Sequence, residues 1–178
     1  MRKQILTSLL LFGLGTSALA NPHVETLLHQ ADNGNPEAQY QLAGRYAHGS
    51  GMPKDPAKAI ELYEQAANAG FAEAQFRLGT LHLEGKLGLI EDGEEAFEWF
   101  QQAAEQNHEV AEFFVGNMLF RGQGVDQDLA EGIRWLERAA SHNCKRAMVR
   151  LAQIYDRGVG VPVDDALAAD WYRKAAAF

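Results

Sequence analysis

Small and large apolar residues recur at three- and four-residue spacings along most of this chain. Ala38, Leu42 and Tyr46 fall four apart, on one face of a predicted helix. Ala59, Leu62, Tyr63, Ala66 and Ala67 form the stripe of a second helix. Between them Gly49-Ser50-Gly51-Met52-Pro53 breaks the first helix, and Asp55 before Pro56 supplies an N-cap with proline at the first helical position. Asp92 and Asp128 hold the same place in later copies, with Glu95 and Glu131 at the capping-box spacing. Gly70, Asn107 and Asn143 close the second helices, because these residue types accept the left-handed conformation that a helix end needs.

The block occurs four times, at offsets of 36, 37 and 36 residues. Ala38, Leu42, Gly49, Asp55, Ala59 and Ala66 return as Ala74, Leu78, Gly85, Asp92, Ala96 and Ala103. They return again as Ala111, Val115, Gly122, Asp128, Gly132 and Ala139, then as Ala147, Leu151, Gly158, Asp164, Ala168 and Ala175. A period in this range predicts an all-α, α/α superhelical solenoid of helix–loop–helix repeats over 35–70, 71–107, 108–143 and 144–178. Repeat 2 carries one extra residue between Gly85 and Gly88, and residues 21–34 read as a worn second helix capping the N-terminal end. Trp99, Trp135 and Trp171 share one second-helix position with Leu62, among alanines, and are expected in the core.

The series Ala-x-x-x-Leu, Gly-x-Gly-Val, Asp and Ala-x-x-Trp-Tyr-x-x-Ala-Ala resembles the Sel1-like repeat family, relatives of tetratricopeptide repeats. Repeat 4, with Gly158-Val159-Gly160-Val161 and Ala168 to Ala176, lies nearest the pattern, while repeat 3 has Gly132 where alanine is usual. The resemblance implies a protein-binding solenoid. Exported relatives suggest an immunity protein neutralising a secreted effector such as a phospholipase, or a regulator docking on an envelope protein. The competing implication is an enzyme on β-lactams or cell-wall amides, described for cysteine-rich relatives with a disulfide in each repeat. Cys144 is the only cysteine here, so none of those site residues carries over.

Residues 1–20 have the makeup of a cleaved signal peptide: Arg2 and Lys3, an apolar run from Ile5 to Leu14, and Ala18-Leu19-Ala20. The expected location is therefore the periplasm, without membrane insertion. Cleavage leaves 14 basic against 24 acidic side chains, a balance that argues against nucleic acid as partner. No Gly-x-Ser-x-Gly, Ser-x-x-Lys or His-Glu-x-x-His occurs, and the histidines do not pair at metal-ligand spacing. No catalytic residue, metal or cofactor is predicted, and Cys144 reads as a passive small residue.

What distinguishes the copies is one stripe of each first helix, expected to line the concave surface. Glu37, Gln41, Gly44 and His48 give way to Glu73, Arg77, Thr80 and Glu84. Val110, Phe114, Asn117 and Arg121 follow, then Arg146, Arg150, Gln153 and Arg157. Formal charge runs −1, −1, +1, +3. An acidic chain thus gathers cations at one end of its groove, and Phe114, Arg121, Arg146, Arg150 and Arg157 are the predicted partner-binding residues, none of them needed for the fold. The chain is expected to be monomeric or weakly self-associating through its C-terminal end, where Ala175-Ala176-Ala177-Phe178 leaves a second helix without a polar cap.

Overall fold

The computed structural model describes residues 22–178, so the predicted leader lies outside the described residues. Those residues form nine helices and no strand: α1 Pro22–Asp32, α2 Pro36–His48, α3 Pro56–Asn68, α4 Ala72–Glu84, α5 Gly93–Glu105, α6 Glu109–Arg121, α7 Leu129–Ser141, α8 Lys145–Arg157 and α9 Asp165–Ala176. Each helix packs chiefly on the next in the chain. The result is a superhelical stack of four hairpins, α2–α3 to α8–α9, with α1 covering the first.

The predicted punctuation holds. Asp55, Asp92, Asp128 and Asp164 each accept a backbone N–H of the first turn, from Lys58, Glu95, Glu131 and Leu167, at 2.9–3.1 Å. The capping-box glutamates do not turn back to complete the box. Glu95 accepts from Trp99 Nε1 at 2.8 Å, and Glu131 pairs with Arg134 one turn along its own helix. Gly70, Asn107 and Asn143 all have positive φ, and Gly34 after α1 shares it. The amides two and three residues past α1 donate to the carbonyls of Ala31 and Gln30, just as those past α3 donate to Ala67 and Ala66. The short first helix therefore ends as a second helix does. In repeat 2 the extra residue forces Leu87 to φ 58°.

Burial corrects the tryptophan expectation. The fully enclosed position is its neighbour: Tyr63, Phe100 and Leu136 are 3 %, 0 % and 0 % exposed. Trp99, Trp135 and Trp171 are only half-buried against the core. A ring there lies along the outside of its helix, where Arg138 covers Trp135 at 4.9 Å and Lys174 covers Trp171 at 4.1 Å. At the C-terminal end Tyr172, the fourth member of the enclosed position, is 43 % exposed because no further helix lies over it among the described residues.

A second buried position went unread in the sequence. Gln39, Gln75, Glu112 and Met148 are equivalent and all buried. Gln39 Nε2 donates to the Ala31 carbonyl at 3.3 Å and Gln75 Nε2 to that of Ala67 at 3.1 Å, tying each first helix to the end of the preceding second helix. Each also meets a glutamine of its own repeat, Gln65 or Gln102. Glu112 has no N–H to give, so Arg138 takes over, donating through Nη2 to the Ala104 carbonyl at 3.1 Å. Its Nε lies 2.8 Å from Glu112 Oε1, a charge contact off the N–H axis, while His142 Nδ1 lies 2.8 Å from Oε2. A wholly enclosed carboxylate is tolerated only with such neighbours.

Candidate functional site

Two concavities carry the stripe that varies between copies. The first, about 640 Å³, is lined by Tyr40, Gln41, Gly44, Arg45, His48, Tyr63 and Arg77. It is the larger, yet three of its polar side chains are already engaged. Arg45 reaches the Ser50 carbonyl, Arg77 lies over the Tyr63 ring, and Gln41 donates to Glu37.

The second, about 450 Å³, has walls from two helices. Phe113, Asn117 and Arg121 rise from α6 at four-residue spacing; Lys145, Arg146, Val149, Arg150 and Gln153 come from α8. Spacing of this kind aligns side chains along each helix, so the trough has cationic groups at its rim and an apolar wall at Phe113 and Val149. Arg121, Arg146 and Arg150 are thus brought together as predicted. Arg157 lies beyond the trough lining but close enough to act on Arg150 through its charge.

None of Arg121, Lys145, Arg146, Arg150 and Arg157 belongs to an ion pair among the described residues. Arg150 is the most constrained. Its guanidinium lies 4.7 Å over the Phe120 ring, and its buried Nε has no protein partner. Burial, reinforced by the Arg121 and Arg157 charges, pulls its pKa below the ordinary arginine value. The buried Asn117 Oδ1, on α6, also lacks a partner. Concentrated, unneutralised positive charge at the rim of a trough can receive an anionic ligand.

Phe114 departs from expectation. It stacks on Phe100 with centroids 4.7 Å apart at 17°, tilts against Phe76 and packs on the core of repeats 2 and 3. The α6 face toward α5 takes it, leaving Phe113 to the trough. Phe114 is therefore part of the fold, and its truncation would disturb folding as well as any interface. Phe113 is equivalent to Tyr40 and Phe76, both of which pack against the core.

The pattern of the Sel1 repeat matches residues 36–71, 72–108, 110–144 and 145–177. This chain belongs to the Sel1 repeat family. The family's repeats form protein-interaction modules. A solved protective antigen of uropathogenic Escherichia coli is 31% identical, with a TM-score of 0.83 over 86% of this chain and 33% of the antigen's. A Sel1 repeat protein of Oxalobacter formigenes is 34% identical, with a TM-score of 0.80 over 86% of this chain and 62% of its own. Chitin synthase regulatory factor 3 of Schizosaccharomyces pombe is 34% identical over 58 residues, 33% of this chain and 6% of that protein. The chain thus spans less than two thirds of each of these proteins. Among the described residues no helix is long and apolar enough to cross a membrane.

Proposed function

We propose that this chain is an exported, non-catalytic binding protein that holds a partner protein in the α6–α8 trough. The supporting observation is the arginine cluster: four guanidinium groups with no carboxylate partner, on a chain whose net charge is −8. Free cations kept apart from a surplus of carboxylates favour an acidic surface on the partner, because arginine pairs with carboxylates through two parallel hydrogen bonds. Immunity against a secreted effector and docking on an envelope protein both reduce to this act of binding. The signal-peptide makeup of residues 1–20 favours the periplasm as the site of the encounter.

Site-specific crosslinking tests the reading in the exporting cell. A photoreactive residue at Arg121 should trap a defined protein, and one at Glu64, exposed on α3, should not. Arg146→Glu combined with Arg157→Glu should keep the helical signal and abolish the crosslinked product. Trapping from Glu64 alone, or an undiminished product in the charge-reversed chain, would move the interface elsewhere. Turnover of a chromogenic β-lactam by the purified protein would support the enzyme reading instead.

A further inference from the structure

We propose that the outer face of α9 pairs antiparallel with the α9 of a second copy of this chain. Tyr172 of each copy lies against Ala169 of the other, and Arg173 of each reaches Asp165 of the other. This surface lies away from the α6–α8 trough, so the inference does not depend on the partner proposed above.

Asp165, Ala169, Tyr172 and Ala176 follow one another at spacings of four, three and four residues. They therefore form one stripe along α9, and all four are exposed. On α7 the last three have the equivalents Ile133, Leu136 and Ala140, all buried. The stripe on α9 is thus the face that a further helix covers in the earlier copies.

Repeat 4 has altered this face in ways that stacking does not require. Asp165 stands where the other copies have the uncharged Pro56, Gly93 and Leu129. Ala169 replaces Ile60, Phe97 and Ile133, exchanging a large side chain for a small one. Beside the stripe, Arg173 replaces Glu64, Gln101 and Glu137. An exposed ring flanked by two alanines is a knob next to its own hole. A second copy related by a two-fold axis fills the hole and receives the knob.

Charge sets the direction of pairing. Asp165 lies in the first turn of α9 and Arg173 in the last. Antiparallel pairing brings them together twice, whereas parallel pairing would set like on like. Asp165 has no ion pair among the described residues. Arg173 meets only Asp170, one turn away and exposed, a contact of little net worth that leaves it available. At the other end of the stack α1 exposes Glu25, His29 and Asp32, so head-to-tail contact finds no matching apolar stripe. Twelve residues of helix span about 18 Å. A single pair of this length buries less than the ~1,200 Å² of a stable interface, so the association is weak and rises with concentration.

Sedimentation equilibrium of the purified protein over a concentration series reads this association. Asp165→Arg and Arg173→Asp should each weaken it about tenfold or more, because each variant faces its own copy with two like-charged contacts. An equimolar mixture of the two variants should associate again, since both contacts in the mixed pair join opposite charges. Ala169→Glu should abolish association and keep the helical circular dichroism, the position being exposed. The inference is overturned if the wild type stays monomeric at every concentration, or if the mixture associates no better than either variant alone. Ala169→Glu associating as the wild type does would overturn it equally.

Discussion

Gly116 of α6 and Gly132 of α7 lie face to face, and a methyl carbon added to either would stand 2.9 or 2.8 Å from the other's carbonyl oxygen. Gly116 also faces Leu136, and Gly132 faces Phe120. This is why repeat 3 departs from the usual alanine at 132. Restoring it should destabilise the protein by about 1–3 kcal/mol, the cost of overpacking between helices that cannot separate freely. Urea denaturation of Gly132→Ala checks this; an unchanged midpoint would show that the helices part easily.

The Glu112–Arg138–His142 cluster replaces the glutamine ties of repeats 1 and 2. Arg138→Gln alone should destabilise by about 2–3 kcal/mol, at the low end for a broken buried pair because Arg138 is partly exposed. Adding Glu112→Gln should recover part of the loss by rebuilding the Gln75–Gln102 arrangement one repeat later. The two changes are therefore expected to be non-additive, as thermal melts of both singles and the double will show.

Leu136→Ala should cost about 3–4 kcal/mol, since Leu136 is fully enclosed. Trp135→Ala next to it should cost less, about 1–2 kcal/mol, because the larger ring is only half-buried against the core, with Arg138 over its face. Chemical denaturation of the two variants in parallel decides the ranking, and a reversed order would restore the tryptophan as the main core residue.

Cys144 is buried at the start of α8, and burial pushes its thiol pKa up. A raised pKa lowers the reactive thiolate fraction at neutral pH. The native protein should therefore label slowly with a thiol reagent and the urea-unfolded chain quickly. Equal rates would place the thiol at the surface.

The uncovered Tyr172 face favours weak self-association, since its three counterparts are enclosed by a following repeat. Sedimentation should show mass rising with concentration, and Tyr172→Lys should return the protein to a monomer. A strictly monomeric wild type at high concentration would remove this expectation.

Fold and repeat boundaries were legible because punctuation is local. Asp128 caps its own helix and Asn143 ends its own, so each could be recognised from immediate neighbours. The basic cluster was legible for a similar reason: Arg146, Arg150 and Arg157 fall on one stripe of one helix. Phe114 was misread because its place depends on Phe100 in another helix, and a stripe computed for α6 alone holds no record of that. Glu112 was missed on the same ground. A lone acidic residue reads as solvent-facing until Arg138 and His142, 26 and 30 positions later, are brought beside it.

The changing ties between repeats give the molecule a direction of assembly. Gln75 expects Gln102 and Gln106, Glu112 expects Arg138 and His142, and Met148 offers no hydrogen bond at all. The copies look interchangeable by their alanines and glycines, yet each carries a key that fits only its own lock. A chain with repeat 3 excised would bring Met148 against the Ala104 carbonyl without its Arg138 donor. That junction would leave a buried carbonyl unsatisfied, so the order of the repeats itself contributes to stability.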